Sequence, residues 1–272
     1  MKPQHRGAVR RLLLLSLQRG AAAALAALAL ASTPAAGRAE SELPDPVRFG
    51  VAIESGDIAR AREWLSAGLP PDFLADRIGT GMMIGAWEGN IPMMALFLSH
   101  GADINAANRL GEQAIMHAAW RGHVDAVRWL IERGAEVSRE GLAWSALHYA
   151  VFAGKRVVAE LLIRHGADVN ARSTNGSSPL MMAAREGHAE LARLLLGVGA
   201  DTTIRNDWGD DALAWAMRNG HARIGRMVAR PDEFAAAARA PSSSVRRPGR
   251  CRRRSGWTLC IARFARRRHS AT

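Results

Sequence analysis

Five glycines fix what this chain can fold into. Gly89, Gly122, Gly154, Gly187 and Gly220 follow one another at intervals of 33, 32, 33 and 33 residues. A second series, Gly101, Gly134, Gly166 and Gly199, keeps the same step. A fixed period in this range marks a chain built from stacked copies of one supersecondary unit. A single copy cannot bury its own apolar face, so neighbouring copies must share a seam.

Each period carries two short helical patterns and an extended turn. The first helix opens most clearly at Ser178-Pro179-Leu180-Met181, followed by Ala183-Ala184. Ser178 can accept a bond from an early backbone N–H, and Pro179 sits where a missing N–H has no consequence. The equivalent caps are Thr80, Gln113, Ser145 and Asp211, of which Gln113 is the poor one. The first glycine series then falls where this helix must stop. The second helix repeats its apolar columns: Met93/Met94/Leu96/Phe97, Ala126/Val127/Trp129/Leu130, Val158/Ala159/Leu161/Leu162 and Leu191/Ala192/Leu194/Leu195. Each set shares one helical face. The second glycine series ends that helix. The 32-residue interval removes one residue between Gly134 and Ser145, which predicts a distorted hairpin there.

This phased pattern resembles the ankyrin repeat, whose mark is Thr-Pro-Leu-His-x-Ala at a period of about 33 residues. The resemblance covers residues 45–230 and implies an all-α ankyrin-repeat solenoid of about six helix–turn–helix units with hairpin loops. The outer two units are expected to act as caps. In the first, the column positions are Arg60, Ala61, Glu63 and Trp64, two of them charged. In the last they are Ile224, Gly225, Met227 and Val228.

The chain ends read differently. Residues 1–39 begin with Lys2, Arg6, Arg10 and Arg11, continue through apolar Leu12–Leu17 and Ala21–Ala31, and finish in small residues before Glu40. That is the plan of a signal peptide cleaved near Ala39, and it predicts a periplasmic or secreted protein. Residues 231–272 are expected to form a disordered, Arg-rich tail, because little of it is apolar and its net charge is high. The net charge of +12 resides in these ends. Residues 1–39 hold six Lys/Arg, residues 239–272 hold eleven Arg, and neither holds an acid. The other 20 Lys/Arg face 25 Asp/Glu, which leaves residues 40–238 at −5. The tail could associate with anionic membranes; nucleic acid is not the expected partner. Cys251 and Cys260 both lie in the tail and could close a small loop in an oxidising compartment.

No catalytic motif is present, and neither a cofactor, a metal nor a small-molecule substrate is expected. His123, His188 and His221 recur at one place in the period. Equivalent positions of stacked helices lie about 10 Å apart, too far for shared zinc ligation at about 2.0–2.1 Å. The resemblance gives these histidines a structural role instead, bonding backbone near the turn. Asp103, Asp168 and Asp201 are expected to support hairpin backbone bonds.

The candidate site is a stripe. Two residues precede the first glycine of each unit. The first of the two runs Glu54, Trp87, Trp120, Phe152, Arg185, Arg218; the second runs Ser55, Glu88, Arg121, Ala153, Glu186, Asn219. In the family such positions line or flank the concave groove that contacts partners. Trp and Arg dominate protein interfaces. The predicted contact set is therefore Trp87, Glu88, Trp120, Arg121, Phe152, Arg185, Glu186 and Arg218, with hairpin tips Asn108, Arg109, Ser173, Thr174, Asn206 and Asp207. Trp120→Ala is expected to weaken partner capture without lowering the melting temperature. The function so implied is a non-catalytic, monomeric binding scaffold for another protein. The alternative is an inhibitor, immunity or protective factor of one periplasmic enzyme.

Overall fold

The computed structural model describes residues 43–239, which apart from Leu43 belong to one of the chain's two compact units, residues 44–272. The expected signal peptide with its cleavage site, Cys251, Cys260 and the tail beyond residue 239 lie outside the described residues.

All the regular elements described are helices, and twelve of the thirteen come in six pairs. These are α1 Pro46–Glu54 with α2 Ile58–Ser66, α3 Gly81–Glu88 with α4 Ile91–Ser99, and α5 Ala114–Arg121 with α6 Val124–Ile131. Then follow α7 Ala146–Phe152 with α8 Arg156–Arg164, α9 Pro179–Glu186 with α10 Ala189–Gly197, and α11 Ala212–Arg218 with α12 Ala222–Val228. First helices pack on first helices (α3 on α5, α5 on α7, α7 on α9, α9 on α11) and second helices on second helices. This is the side-by-side stacking that the period predicts.

Local chemistry explains the boundaries. Thr80, Ser145, Ser178 and Asp211 each accept a bond from the backbone N–H three residues on, whereas Gln113 makes no cap bond and reaches Asn105 O with its side chain at 3.0 Å. Both glycine series adopt positive φ at the helix ends. The core is continuous through all six pairs. It includes Met93, Met94, Leu96 and Phe97 and their successors along the second helices. Trp64 and Ala61 are buried while Arg60 and Glu63 are exposed, as a terminal unit requires. Trp129 and Leu194 are only half-buried, and Arg133 covers the Trp129 ring at 4.1 Å.

The hairpins are tied to one another by a recurrent rung. Asn105 Oδ1 accepts from Glu136 N at 2.9 Å, Ser138 Oγ from Asp168 N at 2.9 Å, and Asn170 Oδ1 from Asp201 N at 2.8 Å. Asp103, Asp168 and Asp201 each accept from the backbone N–H two residues on, the local role expected of them. The shortened unit does deviate. The hairpins at Asn108, Ser173 and Asn206 close with a backbone bond from that residue's N–H to the carbonyl four residues on. Between Gly134 and Ser145, Ala143 N instead donates to Arg172 O at 3.0 Å.

One expectation is corrected. The tail does not begin at residue 231, because Pro231–Arg239 forms a thirteenth helix, α13. Proline at its start and Asp232 and Glu233 in its first turn suit a helix N-terminus. Phe234 lies against Gly225, Arg226 covers the Phe234 ring at 5.4 Å, and α13 packs on α11 and α12.

Candidate functional site

The stripe forms along the first helices, where one residue per unit points the same way. Its rings are half-buried, packed on the core from one side. Trp120 stacks on Phe152 with ring centroids 5.4 Å apart and 23° between planes, and meets Tyr149 edge-on at 6.1 Å. Arg121 lies over Trp87 at 5.2 Å and donates to the Trp87 carbonyl at 3.2 Å. Arg185 bridges two rings, 5.4 Å from Phe152 and 5.8 Å from Trp215. Trp120, Phe152 and Arg185 therefore form one ladder of rings and a guanidinium group, with the Arg121–Trp87 pair in the preceding units. Trp144, at the base of the distorted hairpin, extends it by an edge contact with Phe152 at 6.5 Å. Because Trp120 packs on neighbouring rings, its truncation is expected to reduce stability as well as capture.

An open depression of about 400 Å³ lies beside the ladder. Trp120, Arg121, Phe152, Ala153, Lys155, Glu186 and His188 line it. Glu186 pairs with Arg185 at 3.2 Å, and His188 Nε2 donates to the Phe152 carbonyl at 3.2 Å. His123 Nε2 does the same to Trp87 O at 3.0 Å. These recurrent histidines are thus engaged by the backbone of the preceding unit.

Several predicted contact residues are otherwise employed. Arg218 makes a two-pronged bond to Asp210, at 2.7 and 2.6 Å, and Asp210 also accepts from Trp215 Nε1 at 3.2 Å. Charge-assisted pairs of this form are strong and directional, so Arg218 braces the last units. Ser173 is wholly buried and Asn206 is 6% exposed. Asn206 Oδ1 accepts from Trp208 N and Asp210 N, and Asn108 Oδ1 from Leu110 N and Glu112 N. Ser173 Oγ accepts from Ser177 N. These three side chains satisfy the inner N–H groups of their own turns, which leaves Arg109, Thr174 and Asp207 as the exposed tip residues. Glu88 is exposed on the stripe.

Beneath the ladder is a polar cluster that sequence reasoning did not find. Glu112, 9% exposed, accepts from Tyr149 Oη at 2.7 Å and from Asn108 Nδ2 at 2.8 Å. His117 Nε2 lies 3.7 Å from Glu112 Oε2. Burial lowers the His117 pKa although Glu112 pulls the other way. His148 is buried deeper: Nε2 donates to Ser177 O at 3.1 Å, and Nδ1 accepts from Ser145 N at 3.2 Å. Desolvation brings its pKa down to about 4, against the raising effect of the Ser177 bond.

Paired helices in register, joined by bonded hairpins and carrying one outward residue per unit, define a repeat-type interaction scaffold. A profile of ankyrin repeats matches three times, over residues 50–141, 82–173 and 147–235. The chain belongs to the ankyrin-repeat family, whose repeats generally mediate protein–protein interaction. It is similar to a TRPA1 cation-channel homologue of Caenorhabditis elegans, with 32% identity over 153 residues, 55% of this chain and 12% of that protein. A putative ankyrin repeat-containing protein of Treponema pallidum is 37% identical over 98 residues, 35% of this chain and 33% of that protein. Human Notch homolog protein 1 is 31% identical over 170 residues, 60% of this chain and 6% of that protein. The chain thus spans a third or less of the length of each of these relatives.

Proposed function

We propose that this protein is a non-catalytic scaffold that captures another protein on its first-helix face. The observation behind this reading is the ladder of Trp120, Phe152 and Arg185, with Arg121 laid over Trp87 in the preceding unit, beside an open depression. Rings already stacked and guanidinium groups already laid over them lose little conformational entropy on binding. The signal-peptide pattern of residues 1–39 supports action in the periplasm or outside the cell. Peptide mass mapping of the mature N-terminus tests that location; an N-terminus at Met1 in the mature protein would count against it.

The test of capture compares two faces of the full chain. Arg185→Glu alters the ladder, whereas Val157→Ser alters an exposed position on the second helix α8. Cross-linking followed by mass spectrometry should lose its partner with the first variant and keep it with the second. Equal capture by both, in variants with unchanged helical circular dichroism, would refute the assignment of the face.

A further inference from the structure

We infer that the depression beside Trp120 receives a polypeptide segment in which an aspartate or glutamate side chain neighbours an apolar one. The inference rests on the scaffold reading above and specifies what that face recognises.

Position 155 stands in a series of residues that precede the second helices: Asp57, Asn90, His123, Lys155, His188 and His221. Asp57 and Asn90 cap their helices through their side chains. His123 and His188 bond the preceding unit's carbonyls. Lys155 does neither, and among the described residues it makes no side-chain hydrogen bond and no ion pair. Its aliphatic stem lies on Gly122, so closely that a Cβ there would be 2.8 Å from Lys155 Cδ. The stem fills the place that the imidazoles fill elsewhere, and Lys155 is one of the residues that line the depression. An ammonium has three donors and no acceptor.

Arg121 is a second cation in that lining. Its Nε bonds the Trp87 carbonyl, but no described carboxylate pairs with its guanidinium. The other arginines of the stripe differ: Arg185 is paired with Glu186 and Arg218 with Asp210. Arg121 and Lys155, neither paired with a described carboxylate, thus both line the depression, together with the stacked Trp120 and Phe152 rings. That combination is complementary to a carboxylate next to an apolar group. The carboxylate would join Arg121 and Lys155, and the apolar neighbour would cover the rings. Charge-assisted bonds of this kind are about twice as strong as neutral ones.

The experiment is a phage-displayed peptide selection on the full chain and on its Arg121→Glu/Lys155→Glu variant. Both proteins keep the Lys/Arg of the chain ends, so any attraction due to those ends is common to both. The wild type should enrich peptides with Asp or Glu within two residues of Trp, Phe or Leu. The variant should lose that enrichment. A synthetic peptide from the wild-type set should bind at least tenfold more weakly to the variant, and its Asn/Gln counterpart should bind the wild type correspondingly weakly. Selected peptides that compete at the ladder but show no acidic preference would overturn this inference and leave the scaffold reading intact. Binding that requires only a free C-terminal carboxylate would overturn it too. Recovery of no peptide at the ladder would count against both readings.

Discussion

Gly154→Ala and Gly166→Ala form a matched pair within one unit. Gly154 ends α7 at φ +71° and Gly166 follows α8 at φ +85°. Each alanine would occupy the left-handed region, at a cost of about 1–2 kcal/mol. The surroundings differ. Nothing lies within 4 Å of a Cβ at Gly166, whereas a Cβ at Gly154 would be 2.9 Å from His188 Cε1. Gly154→Ala must therefore also displace the imidazole and disturb its bond to Phe152 O. That bond contributes about 0.5–1.5 kcal/mol. The expected losses are about 1–2 kcal/mol for Gly166→Ala and roughly 1 kcal/mol more for Gly154→Ala. Urea unfolding followed by circular dichroism measures both. A double-mutant cycle of Gly154→Ala with His188→Ala should reveal a coupling near that extra roughly 1 kcal/mol, since neighbours of this kind are non-additive. Equal losses at the two glycines, or strict additivity in the cycle, would refute the account of histidine as the bolt between units.

Tyr149→Phe removes the hydroxyl that bonds buried Glu112 and should destabilise by about 2 kcal/mol, lowering the thermal midpoint by roughly 4–8 °C in calorimetry. Arg218→Ala leaves Asp210 with the Trp215 indole as its remaining side-chain donor; loss of about 1–2 kcal/mol should appear as faster hydrogen exchange in α11 and α12. His148 is held neutral, with a pKa of about 4 against an ordinary 6.5. The unfolded chain therefore takes up a proton before the folded one does. Stability should be full above pH 6.5, fall as pH drops towards 4, and level off below that. Urea midpoints between pH 7 and pH 4 in the wild type and His148→Gln check the sign; a midpoint that rises on acidification would refute it.

What could be read from the sequence was whatever recurs. Glycine phasing placed the helix ends, Ser/Thr/Asp located the caps, and the deficient Gln113 and the shortened hairpin were both visible as departures from the period. Contacts between unlike positions were not visible. Glu112 meets Tyr149 across 37 residues and Arg218 meets Asp210 across eight, and no repeat pattern encodes either pair. Polar hairpin residues suggest exposure, but the demand of inner N–H groups for an acceptor turns the side chains of Asn108, Ser173 and Asn206 toward their own turns. The helix α13 did leave a signal in Pro231-Asp232-Glu233, outweighed by the alanine- and arginine-rich composition that follows.

The shortened unit shows where this architecture accepts change. A deletion inside a helix would rotate every following side chain by about 100° and misplace the shared seam. In the hairpin before Ser145 the missing residue alters one local turn, while Leu147, Val158 and Leu162 beyond it remain in the core. Length can drift in the loops without erasing the pattern beside them, so one unit can change while its neighbours keep their register.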